Sequence, residues 1–145
     1  MFKHVLLPTD GSELCEMAIR EGIRFAKESN AKVTGVSVTP EYHLLAIDAA
    51  VLQDTEEQFL VASQAQAKQR LAALQKAAAE EGVSCDVELE VNDHPYEGII
   101  RTAERKGCDL ILMASHGRRG IKALLLGSEA QKVLTHSKIP VLVYR

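Results

Sequence analysis

Few side chains in this chain stand in a pattern that could do chemistry, and most lie in one late stretch. That stretch is Met113-Ala114-Ser115-His116-Gly117-Arg118-Arg119-Gly120, with Gly127-Ser128 following after six more residues. Leu110 to Met113 upstream is a short apolar run of the kind that forms a buried strand, and small residues then break it. Glycine lets a backbone approach a ligand closely. A serine at a helix start can cap it and place a hydroxyl among its unpaired N–H groups. A strand, a glycine loop and a helix N-terminus suit an anion, of which phosphate is the commonest. His116 in the same loop invites a catalytic reading, but no cysteine or serine nucleophile with an orienting carboxylate can be placed beside it. His4, His43, His94 and His136 form no metal spacing. Cys15, Cys85 and Cys108 are odd in number and lack a C-x-x-C pair, which fits reduced thiols.

The elements that must position this loop can be read along the chain. Lys3 to Leu7 reads as a strand ended by Pro8-Thr9-Asp10-Gly11-Ser12, turn and N-cap residues that predict a helix from Ser12 or Glu13. Leu14, Ala18, Gly22 and Phe25 form one stripe of that helix, and Ser29-Asn30 ends it. Val33 to Val38 is a second strand. Leu44 to Leu52 is apolar enough to pack but reads equally as helix or loop. Thr55 to Glu81 is a helix, with Leu60, Ala67, Leu71, Leu74 and Ala78 on its inner side and Gly82 as its stop. Ser84 to Val91 alternates, with Cys85, Val87, Leu89 and Val91 on one face and Asp86, Glu88 and Glu90 on the other. That predicts an edge strand with a wet, acidic side. His94-Pro95 opens a helix with Tyr96, Ile99, Ile100 and Ala103 inward, closed by Gly107. The Leu110 strand, the glycine loop, a helix over Glu129 to Thr135 and a strand over Val141 to Tyr144 complete the order.

Strands alternate with helices throughout, so the chain predicts an α/β fold, a parallel sheet with helices on both faces. At 145 residues it is one domain. An apolar content of 46% and a charged content of 26% are those of an ordinary globular protein. The net charge of −3 disfavours nucleic acid as a partner. No run approaches membrane-spanning length and no leader precedes the first strand, so the expected compartment is the cytoplasm. With the third strand at an edge, the sheet order becomes 3-2-1-4-5. The winding then reverses between the first and fourth strands, where open α/β sheets bind ligands. Pro8 to Asp10 and Met113 to Gly117 both leave the sheet there, so Asp10 and the glycine loop should face each other across a nucleotide-sized site. The last strand is apolar on both faces, which predicts a homodimer that buries Val141 to Tyr144.

The chain resembles the universal stress protein family over its full length. The resemblance is carried by V-L-L-P-T-D-G-S at the start, Asp109-Leu-Ile-Leu-Met113, S-H-G followed by nine residues and G-S, and the closing I-P-V-L-V-Y. The family's nucleotide-binding branch has G-x-x-G, nine residues, then G-S or G-T. On this sequence the second glycine is Gly117 and the final pair is Gly127-Ser128, whereas Ala114 replaces the first glycine. The resemblance implies a Rossmann-like sheet of the adenine nucleotide alpha hydrolase type, dimeric through the last strand. It also implies ATP, ADP or AMP as ligand, with Mg or Mn carried by the phosphates. Pro8, Thr9, Asp10 and Val38 would border the adenine, and Met113 and Ala114 the ribose. Gly117, Gly127 and Ser128 would hold phosphates, with His116, Arg118 and Glu129 at the same site. A methyl at Ala114 is tolerable at negative φ and costs about 1 kcal/mol or more at positive φ. It also narrows the crevice.

Simpler roles compete. Asp10 is by type equally an N-cap of the first helix, Ser128 is a helix cap first, and Arg118 and Arg119 could be a solvated pair. Neither glycine pair is followed by the Lys-Ser or Lys-Thr of a P-loop, and the first turn lacks the G-x-G-x-x-G of a Rossmann dehydrogenase. A phospho-accepting signalling domain would want a second acid beside Asp10 and a lysine after the fifth strand, and has neither. A dimeric scaffold without nucleotide is the other alternative, with Ala114 its best argument. The expectation is a regulatory nucleotide-binding module of the stress response, at most a slow ATPase.

Overall fold

Three side chains with no exposure at all, Val5, Leu6 and Leu7, mark where the chain folds around itself. They belong to β1 (His4–Pro8), the central strand of a five-stranded parallel sheet in the order β3-β2-β1-β4-β5. The computed structural model describes residues 1–42, 49–117 and 125–145, the side chains of 49–54 excepted. The other strands are β2 (Lys32–Thr39), β3 (Cys85–Val91), β4 (Leu110–Ala114) and β5 (Val141–Tyr144). The helices are α1 (Glu13–Glu28), α2 (Ala49–Glu80), α3 (Pro95–Lys106) and α4 (Ser128–His136). Of the expectations above, Leu44 to Asp48, Arg118, Arg119 and Gly120 lie outside the described residues.

The sheet separates two cores because successive strand residues point to opposite faces. Val5, Leu7, Val33, Leu112 and Ala114 pack with α1 and α2 on one face. Leu6, Val36, Ile111 and Met113 pack with α3 and α4 on the other. On α2, Ala67, Leu71, Leu74 and Ala78 are buried at the expected spacing, and the helix begins at Ala49 rather than near Thr55. On α1 the buried set is Cys15, Ala18, Ile19, Gly22, Ile23 and Ala26. Leu14 and Phe25 only flank it, so the stripe is rotated from the one the spacing suggested. Asn30, at φ 53°, turns the chain out of α1, and Gly107, at φ 71°, ends α3.

The edge position expected for β3 is observed, but its acidic row is not simply wet. Arg105 on α3 bonds Glu90 at 2.7 Å and approaches Glu88 at 3.5 Å, while Lys106 lies 3.5 Å from Glu88 and 3.6 Å from Asp86. Two cations at the end of α3 thus reach over the row. Glu81, just past the end of α2, pairs at the surface with Lys27 of α1 at 2.9 Å. At the opposite edge, β5 pairs, among the described residues, with β4 alone and leaves Leu142 38% exposed. Asp109 ties the two central strands at their starts, accepting the N–H of Lys3 at 2.8 Å and of His4 at 3.0 Å.

Candidate functional site

The site is assembled at the carboxyl ends of β1 and β4, the strands between which the winding reverses. Thr9, the residue after β1, is held by its N–H on the Val36 carbonyl at 2.9 Å. Asp10 then forms a local turn, its Oδ1 accepting the Ser12 N–H at 2.9 Å. Ser12, not Asp10, is the N-cap of α1 and accepts the Cys15 N–H at 3.3 Å. The Cys15 thiol donates to the Pro8 carbonyl at 3.1 Å. Burial, reinforced by the nearby Asp10 charge, pushes its pKa up to about 11, so it serves as a neutral packing group under the turn.

Across the crevice, Ser115 organises the departure from β4. It is buried, its N–H donates to the Tyr144 carbonyl at 2.7 Å, and its carbonyl accepts the Gly127 N–H at 2.6 Å. The last bond joins the two ends of the glycine loop and brings the start of α4 against the end of β4. Sequence reading passed over Ser115 because its contribution is made through the backbone, and only its place directly after a strand signals it. The Ser115 hydroxyl lies 3.0 Å from His116 Nδ1. His116 Nε2 is buried and has no hydrogen-bond partner among the described residues.

The two loop glycines are required by proximity. Neither Gly117 nor Gly127 has a positive φ; Gly127 is extended at φ −70°, ψ 161°. A Cβ at Gly117 would fall on Asp10 Oδ2, and one at Gly127 would lie 3.0 Å from the Ser115 carbonyl oxygen and 3.3 Å from His116 Cα. Asp10 and the glycine loop therefore do face each other. Ala114 is a β4 residue outside the left-handed region, and its methyl, 8% exposed, packs into the α1-side core. Replacing the first glycine there strains nothing.

Other expected site residues are placed differently. Met113 is 7% exposed and its side chain enters the core under α3 and α4, so it can meet a ligand chiefly through its backbone. Val38 is half-buried against Gly98 of α3. Ser128 is the first residue of α4 and not its cap; Gly127 holds the cap position, and no side-chain cap bond is made there among the described residues. Ser128 is exposed, and its hydroxyl is displaced by one residue from the position a capping serine occupies. Glu129 turns away from the crevice, accepting the backbone N–H of Tyr96 at 2.9 Å and the Lys132 ammonium at 3.3 Å. No group of three or more metal-ligating side chains occurs among the described residues. None of the described helices is long and apolar enough to cross a membrane.

The arrangement offers an anion one uncapped helix start, a glycine loop and a backbone-lined cleft beside a carboxylate. Comparison with known proteins places the chain as a whole. The model of the universal stress protein family matches residues 1–145. Universal stress protein YxiE of Bacillus subtilis is 31% identical, with full coverage of both chains. Universal stress protein MJ0577 of Methanocaldococcus jannaschii is 30% identical over all of this chain and 96% of its own. The solved structure of MJ0577 superposes with a TM-score of 0.84 over 99% of this chain and 95% of that one. A universal stress protein solved in complex with cAMP shares the fold at 23% identity and a TM-score of 0.72, over 99% and 97% of the two chains. One from Archaeoglobus fulgidus in complex with dAMP does so at 18% and 0.69, over 100% and 98%.

Proposed function

The chain belongs to the universal stress protein family, and we propose that it is a regulatory module that binds an adenine nucleotide in the crevice between the β1 turn and the glycine loop. The observation that carries this reading is the start of α4. The helix begins beside the reversal point of the sheet, its cap residue is a glycine without a side chain, and among the described residues no side-chain cap bond is made there. First-turn N–H groups and the helix dipole there suit a phosphate. The complexes of two relatives with cAMP and dAMP support the choice of an adenine nucleotide over an isolated anion.

In this reading Pro8, Thr9, Asp10 and the backbone around Val38 border the base, and Met113 and Ala114 pass the ribose. Gly117, Gly127 and Ser128, with His116 nearby, meet the phosphates. ATP would bring its own Mg or Mn. Hydrolysis would be slow at most, since among the described residues no side chain is set up as a dedicated base. The exposed edge of β5, with Leu142 at its surface, supports a homodimer through Val141–Tyr144. Three free thiols suit a cytoplasmic protein.

The test is calorimetric titration of the wild type and a Ser128→Pro variant with ATP–Mg and with AMP. Gly127 is extended and Ser128 is the first helical residue, so proline fits the backbone at 128. It removes one N–H and the hydroxyl. Micromolar binding by the wild type, weakened about tenfold or more in the variant by the loss of charge-assisted bonds, is the expected result. Absence of heat with wild-type protein would leave a scaffold without nucleotide as the correct reading.

A further inference from the structure

Helix α3 touches both ends of the crevice, and it does so through two different contacts. In its first turn, Gly98 seats it on β2: a Cβ at Gly98 would lie 2.8 Å from Val38 Cγ2 and 3.0 Å from Cγ1. At its start, Pro95 opens the helix and the cap residue His94 makes no side-chain cap bond. The acceptor comes instead from α4. Glu129 Oε2 takes the Tyr96 backbone N–H at 2.9 Å while Oε1 takes Lys132 at 3.3 Å. Glu129 stands directly after Gly127-Ser128, so its carboxylate lies near the positive ends of two helices at once. The same seam is closed by Tyr96 stacked on His136, centroids 5.2 Å apart and planes at 30°, with the Lys132 ammonium 5.7 Å from the Tyr96 ring centre.

We propose that Glu129 is a positioning residue whose bond to Tyr96 fixes the start of α4 relative to Val38, and so sets the distance between a bound base and its phosphate. The inference rests on the nucleotide reading above and changes the role of Glu129 within it. Both carboxylate oxygens already hold protein donors, and an acid facing a phosphate would repel it. Its contribution to the site is therefore the placement of the Gly127-Ser128 backbone, with α3 as the strut between the two halves of the crevice.

Wild type, Glu129→Ala and Glu129→Gln are titrated with adenosine and with AMP, and amide exchange at Tyr96 is followed by NMR in the ligand-free proteins. Glutamine keeps an acceptor for the Tyr96 N–H and removes the charge. In Glu129→Ala, AMP affinity should fall about tenfold and exchange at Tyr96 should quicken by a similar factor, the loss of one hydrogen bond to a charged group. Adenosine, without a phosphate to place, should change less than about twofold by the same reasoning. Glu129→Gln should restore both AMP binding and Tyr96 protection. Equal losses in the glutamine and alanine variants would assign the effect to charge and overturn the brace, as would equal weakening of adenosine and AMP. Unchanged exchange at Tyr96 overturns it whatever binds. Wild-type protein that binds neither ligand overturns the nucleotide reading, and the placement of a phosphate with it, even where exchange at Tyr96 responds.

Discussion

Gly117→Ala isolates the contact that joins the two sides of the crevice. The backbone at 117 is outside the left-handed region, so alanine carries no conformational penalty there. Its Cβ would, however, occupy the place of Asp10 Oδ2. Asp10 cannot swing aside freely, because Oδ1 holds the Ser12 N–H at 2.9 Å and Ser12 in turn caps α1. Displacing the carboxylate forfeits a charge-assisted bond, and shifting the loop instead strains the Gly127 to Ser115 tie of 2.6 Å. Either route costs about 1–3 kcal/mol, which at about 2–4 °C per kcal/mol for a domain of this size lowers Tm by roughly 2–12 °C. The assay is a double-mutant cycle in urea. In an Asp10→Ala background the obstruction is gone, so adding Gly117→Ala should cost less than about 0.5 kcal/mol. A coupling of about 1 kcal/mol or more is expected. Additivity to within about 0.3–0.5 kcal/mol would refute the contact as the reason for glycine at 117.

Two further outcomes follow from the packing and the buried charges. Gly35→Ala places a methyl 2.8 Å from Leu74 Cδ1, a side chain only 2% exposed, so denaturant unfolding should show a loss of about 1–3 kcal/mol from overpacking; a neutral result would mean that α2 lifts off the sheet without penalty. His4 is buried with its Nε2 2.6 Å from Thr34 Oγ1. Burial first, then the Lys32 and Lys106 charges, lower its pKa against the opposing pull of Asp109 and Asp86. The unfolded chain therefore takes up the proton first. Stability should be full above the ordinary histidine value of about 6.5 and fall as pH drops from there through the folded pKa. A His4→Gln variant should lack that part of the pH profile, and an unchanged profile would assign the dependence to another group.

What could be read from the sequence is what local pattern determines. The alternation of Cys85 to Val91 located an edge strand, and from that edge the order 3-2-1-4-5 followed. Asp10-Gly11-Ser12 marked the start of α1 because capping chemistry is local. Contacts between distant segments were not visible. Gly127 and Ser128 both suit a helix start, and only the extended backbone of Gly127, whose carbonyl accepts the Gln131 N–H at 3.0 Å, shows that the glycine takes the cap position. The acid at 129 looked like a neighbour of the ligand because the residue facing it, Tyr96, lies on another helix. The acidic face of β3 looked solvated for the same reason, since Arg105 and Lys106 reach it from α3. Ala114 posed a question of backbone conformation that spacing could not answer; its strand geometry does.

The most direct test of the central claim is to titrate isotope-labelled protein with AMP and follow the backbone amide signals. Binding in the crevice predicts saturable shifts at Thr9, Asp10, Val38, Ala114 to Gly117 and Gly127 to Glu129, with the amides of Asp86 to Glu90 on the far edge strand unmoved. Saturable shifts centred on another surface, or none at millimolar AMP, would contradict it.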